Sequence, residues 1–318
     1  MDSMPYKLHI LFFPYMAHGH MIPTVDMARL FARRGVKATI VSTPLNAPLC
    51  SKTIERDRQL GLDISIHIIK FPSAEAGLPE GCENLSSIPS PDMLPNFLKA
   101  IGMLQQPLER LLEECHPSCL VADMLFPWAT EAANKLRIPR LFFNGTDSLK
   151  RYEPPEGVDS DFEPFVVPGL PDQIKLTRLR LPAFIKERTE NELTKLMDKI
   201  SESMVRSYGV LTNSFLELEP AYSEHYKMEI KRKTWHIGPL ITDVLKIGIG
   251  VGALEWSRYE KKIIVRKEDI EKAIIQLLVG EEAEEIRNRA RVLKEMARRA
   301  TKEGGSSYSD LTAFLEEL

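Results

Sequence analysis

The sequence predicts an α/β fold in which a parallel sheet is covered by helices, with a closing helical segment packed back on it. Two observations carry this. Short apolar runs alternate with stretches of helical spacing through the first half, the rhythm of strand–helix–strand units joined by right-handed crossovers. At the carboxyl end, Leu311, Phe314, Leu315 and Leu318 fall at i, i+3, i+4 and i+7, one apolar stripe that needs a surface to cover it.

Residues 8–13 form the first strand, and 23–34 a helix that Pro23 helps to start. Strands follow at 38–42 and 64–70, then a loop rich in Pro and Ser at 72–91. Asp92 caps a long helix to about residue 114. A short buried strand at 119–122 ends at Asp123, and 127–136 is helical before a strand at 140–143. Residues 152–171, rich in Pro and acidic side chains, read as a loop. A helix at 190–208, a strand at 209–212, a helix at 217–228 and a strand at 234–237 complete the regular part. The remainder, from about Ile241, is mostly helical, at 266–279 and 281–302, and Ser307-x-x-Asp310 reads as the start signal of the last helix.

Bulk properties narrow the function. The 318 residues, 43% apolar and 27% charged, are those of a globular protein with a real core. A net charge of −3 gives no electrostatic reason to expect nucleic acid. Cys50, Cys82, Cys115 and Cys119 are sparse and irregular, which fits a reducing compartment. Asp2 and Lys7 flank the short apolar run at the amino end, which does not read as a signal peptide. No apolar run reaches the roughly 18 residues of a membrane span. The expectation is a cytoplasmic protein.

The chemistry-bearing pair is His20 and Asp123, each just past a strand of the same sheet, where α/β folds bind ligands. An imidazole whose ordinary pKa is roughly 6.5, oriented by a carboxylate, can deprotonate a hydroxyl and make it a nucleophile. The alternative is that His20 is a helix-start residue and Asp123 a cap. Other patterns are weaker. His18-x-His20 and Cys115, His116 and Cys119 lack a full ligand set for a metal. Gly248-x-Gly250-x-Gly252 lacks phosphate-loop spacing. Asn84-Leu85-Ser86 and Asn144-Gly145-Thr146 match the glycosylation sequon but are expected to stay unmodified.

The segments FPYMAHGHMIPTVDMA (13–28), LVADMLFPWATEAA (120–133), RLFFNGT (140–146), VVPGLP (166–171), VLTNSFLELEP (210–220) and WHIGPL (235–240) together resemble the plant family 1 UDP-glycosyltransferases. The stretch 280–311 also looks like that family's closing helices. The resemblance implies a GT-B architecture of two Rossmann-like halves, the amino half holding the acceptor and the carboxyl half the UDP-sugar. It implies that His20 is the base for the acceptor hydroxyl and Asp123 its orienting partner, with no metal. It places Met16, Ala17, Gly19, Phe97, Phe126 and Thr146 around the acceptor, a phenolic or terpenoid-like small molecule.

The departures are as informative. The family's donor half carries a signature that begins with Trp-Ala-Pro-Gln and includes His-Cys-Gly-Trp-Asn-Ser, and neither run occurs here. His236-Ile237-Gly238-Pro239-Leu240 passes directly into Ile241-Thr242-Asp243, which resembles a helix beyond that signature. A second gap follows Asn144-Gly145-Thr146. The expectation is therefore an acceptor-binding domain at 1–240 and a residual helical segment of the donor domain at 241–318. Such a chain keeps acceptor binding and lacks the UDP-sugar site. It is alternatively a non-catalytic binding module, or a scaffold shortened by engineering or splicing, whose exposed former interface favours self-association.

Overall fold

The computed structural model describes residues 7–144, 158, 160–181, 192–238, 267–280 and 283–318. Its strands are β1 (His9–Phe13), β2 (Lys37–Ser42), β3 (Ile64–Ile68), β4 (Cys119–Asp123), β5 (Arg140–Asn144), β6 (Pro164–Val166), β7 (Lys175–Thr177), β8 (Gly209–Thr212) and β9 (Lys233–His236). Its helices are α1 (His18–Arg33), α2 (Pro48–Gln59), α3 (Leu94–Met103), α4 (Gln105–Cys115), α5 (Ala129–Lys135), α6 (Glu192–Arg206), α7 (Pro220–Ile230), α8 (Lys267–Val279), α9 (Ala283–Thr301) and α10 (Ser306–Glu317). Seven strands form one sheet in the order β3-β2-β1-β4-β5-β8-β9, and every neighbouring pair is parallel.

Parallel strands are covered on both faces, so they read as continuous apolar runs, and alternate side chains go to opposite layers. Leu11 and Phe13 of β1 join Phe97, Leu104 and Leu108 of the α3–α4 region and Ala132 of α5 in one core. Ile10 and Phe12 join Ala28 and Phe31 of α1, Ile54 of α2 and Phe314 of α10 in the other. The closing helix thus packs back on the sheet, as its stripe requires. Phe314 meets Phe31 and Trp235 edge-on, with ring centroids 5.8 and 5.0 Å apart.

Several elements differ from the sequence reading. Helix α1 begins at His18, so Pro23 lies inside it and does not start it. Ala17 is the extended N-cap, and its carbonyl accepts from His20 N at 3.0 Å and Met21 N at 2.9 Å. The helix expected from Asp92 to about residue 114 is two helices. Asp92 lies in a 3-10 turn (Pro91–Met93), and α3 and α4 meet at Leu104. Pro107 causes the break, having no N–H for the Met103 carbonyl and clashing with it. Ser307 and Asp310 do not form a capping box. The N-cap is Gly305, and Asp310 accepts from the backbone N–H of His236 at 2.8 Å. Within the expected loop at 152–171, β6 pairs antiparallel with β7. Thr146, the 241–265 segment and the Gly248–Gly252 pattern lie outside the described residues.

Candidate active site

Strand order reverses between β1 and β4: β1 continues to β2 on one side, β4 to β5 on the other. The carboxyl ends of two such strands leave a crevice between their diverging connections, the usual ligand position in open α/β sheets. Phe13 lies beside Ala122 at this point. His20, in the first turn of the helix leaving β1, and Asp123, the last residue of β4, therefore meet across it.

His20 Nδ1 lies 2.8 Å from Asp123 Oδ2. The other carboxylate oxygen, Oδ1, accepts from Leu125 N at 2.9 Å. The Asp123 side chain is 2% exposed and that of His20 35%, so the carboxylate is the floor of the site and the imidazole its rim. A carboxylate accepts, so Nδ1 is the donor and Nε2 the basic nitrogen of this tautomer. That arrangement can take a proton from a hydroxyl and stabilise the resulting imidazolium.

Neighbouring residues hold the pair in place. Thr24 Oγ1 donates to the His20 carbonyl at 2.8 Å, tying the His20 backbone to the next turn. The Tyr15 ring lies 5.5 Å from the imidazole, tilted 60° to it. The entering loop is pinned from outside. Leu85 N donates to the Met16 carbonyl at 2.8 Å, and Asn84 Nδ2 donates to Asn46 Oδ1, also at 2.8 Å. Asn84 is buried in this network, so its sequon presents no free amide. Below Asp123, the buried Arg140 donates to the Ala122 and Asp123 carbonyls at 3.2 and 3.1 Å. Sequence reading passed over Tyr15, Thr24 and Arg140. An arginine opening an apolar strand was the one signal that pointed to the last of these.

The residues expected around an acceptor are placed unevenly. Met16, Ala17, Phe97 and Phe126 are buried core, and do not present open side-chain surface. Phe126 stacks on Phe13 with centroids 4.2 Å apart, and Tyr15 meets Phe97 edge-on at 6.2 Å. These apolar side chains fill the interior behind the crevice in one buried cluster. Gly19 is exposed in the first turn of α1. Among the described residues, no group of three His, Cys, Asp or Glu side chains is arranged to hold a metal. No described helix is long and apolar enough to cross a membrane.

No protein-family model matches the chain. A scopoletin glucosyltransferase of Nicotiana tabacum is 36% identical over 467 residues, covering 98% of this chain and 98% of that protein. The chain belongs to the plant UDP-glycosyltransferases. An anthocyanin 3'-O-beta-glucosyltransferase of Gentiana triflora is 33% identical over 474 residues, with 98% of each covered. The crystal structure of Glycyrrhiza uralensis UGT73P12 complexed with glycyrrhetinic acid 3-O-monoglucuronide superposes with a TM-score of 0.87 at 27% identity. It covers 98% of this chain and 95% of that one. The sheet and its helices are thus the Rossmann-like architecture of GT-B enzymes.

Proposed function

We propose that this member of the family holds a small hydroxylated acceptor, with His20 as the general base and Asp123 as its support. In the reaction proposed for the family fold, Nε2 of His20 takes the hydroxyl proton. The oxygen then attacks the anomeric carbon of a UDP-sugar, and UDP leaves from the opposite face with inversion. The observation that carries the reading is the 2.8 Å contact between Nδ1 and Asp123 Oδ2 at the sheet's reversal point. A base so positioned contributes about 10²–10⁴ in rate.

The proposal includes a limit on turnover. The two signature runs of the donor half are missing from the sequence. Alignments spanning 467 residues take in 98% of a chain only 318 residues long, which supports an internal loss. Catalysis needs both reactants held together, and effective molarities from such positioning reach about 10⁵–10⁸ M. Without a donor site that contribution vanishes. The chain therefore acts as the acceptor side, 1–240, with the closing helices of 241–318 retained because α10 completes its core. Relatives named for scopoletin and an anthocyanin point to phenolic acceptors.

Two titrations test this. A panel of phenols raises the melting temperature, whereas UDP-glucose does not, and no glucoside forms by chromatography. Stabilisation by UDP-glucose together with glucoside formation overturns the donor-site part. Stabilisation by neither overturns the acceptor part.

A further inference from the structure

We infer that Arg140 is a positioning residue for the His20–Asp123 pair, acting through the main chain of Asp123. This rests on the reading of that pair as the working dyad. Arg140 opens β5, next to β4, and its side chain is 1% exposed. A charge that deep is costly unless the surroundings supply dipoles to replace water. The fold supplies them from three elements. Nη1 donates to Thr130 Oγ1 of α5 at 3.0 Å and to Ser203 Oγ of α6 at 3.3 Å. Nη2 donates to the last two carbonyls of β4, Ala122 at 3.2 Å and Asp123 at 3.1 Å. The Phe142 ring lies against the guanidinium at 4.4 Å.

The fork therefore grips the peptide that carries the Asp123 side chain. Thr130 and Ser203, themselves hydrogen-bonded at 2.8 Å, fix the fork to two helices. The consequence is geometric: the direction of the carboxylate toward His20 is set from below by Arg140 and from above by Leu125 N. Burial pulls Arg140 down to about 9, with the Asp123 charge opposing that pull, so it stays protonated at neutral pH. The remaining titratable group facing it is the Cys119 thiol, which burial pushes far up and leaves uncharged.

The test is the titration of the His20 imidazole, followed by proton–nitrogen NMR in the full chain, with the signal assigned by its loss in His20→Gln. Arg140→Lys keeps the positive charge but cannot fork to two carbonyls, so Asp123 is aimed less well and stabilises the imidazolium less. The His20 midpoint then falls by about one pH unit, a tenfold change in protonation. A folded Arg140→Lys protein with an unchanged or raised midpoint overturns the inference. If that variant does not fold, the Thr130→Ala, Ser203→Ala double variant leaves the arginine present but unanchored. A smaller fall in the midpoint supports the inference, and none overturns it. Asp123→Asn separates the two readings. No change there defeats the dyad itself, whereas a change there with a silent Arg140→Lys defeats only the role of Arg140.

Discussion

Replacing Phe314 by Ala tests whether the end of the chain is part of the sheet's own core. The ring is fully buried between Phe31 of α1 and Trp235 of β9, in a cluster that includes Phe12 of β1. Its removal forfeits the transfer free energy of the ring, about 1.5–3 kcal/mol. It also forfeits two edge-on contacts, each worth about 0.5–1.5 kcal/mol. The neighbours are anchored on a strand and a long helix, so the cavity collapses little, and the total lies in the upper part of the range of about 3–5 kcal/mol found for such changes. Domain stabilities are about 5–15 kcal/mol, so the variant loses a large share. Urea unfolding read by tryptophan fluorescence measures it, since Trp235 reports on the site directly. Phe314→Leu is the control and costs under about 1.5 kcal/mol. A Phe314→Ala penalty below about 1 kcal/mol would mean that α10 is an appendage, and the packing argument fails.

Three further outcomes follow from buried polar groups. His9 Nε2 meets Thr39 Oγ1 at 2.9 Å, and burial, then the charge of Lys37, pushes its pKa from 6.5 to about 4. The unfolded chain therefore takes up this proton before the folded one. Stability from this neutral imidazole is complete above about pH 6.5 and falls with pH, the loss reaching about 3 kcal/mol near pH 4. His9→Gln flattens stability against pH over that window, and parallel curves for the two proteins contradict the assignment. Asn84→Ala strands Asn46 Oδ1 and Ser86 N, which it now satisfies at 2.8 and 3.0 Å. The expected cost is about 1–3 kcal/mol by urea unfolding, and a neutral variant shows the network to be dispensable. Burial raises the pKa of the Asp310 carboxyl, but its bonds to His236 outweigh this and hold it below the ordinary carboxylate value. Asp310→Ala removes this acceptor and speeds hydrogen exchange at the His236 amide, and unchanged exchange rules out the docking role.

The fold was legible where one physical signal dominated. Buried parallel strands must be apolar throughout, so β8 was read to the residue and β1, β4 and β5 to within one. Helices with little buried surface were harder. In α2 only Cys50, Ile54 and Asp57 face inward, and the charged remainder hid the pattern, so no helix was read there. Proline has no single meaning along a helix. The reading of Pro23 as a helix start fails because it sits inside α1, and a continuous helix from 92 to 114 overlooks Pro107, which splits α3 from α4. At the site, His20 and Asp123 were visible because strand ends are where side chains converge. Asp310 was not, because a local capping signal and a partner 74 residues away look identical in one dimension. Arg140 was hidden similarly, its partners being carbonyls and hydroxyls on other elements.

The most direct measurement of the central claim is a crystal structure of the chain soaked with a phenol that raises its melting temperature. The account predicts a ligand hydroxyl within about 2.6–3.2 Å of His20 Nε2, with Nδ1 still on Asp123. A phenol bound with its hydroxyl away from that nitrogen, or an imidazole turned off Asp123 to receive it, would contradict the assignment of His20 as the base.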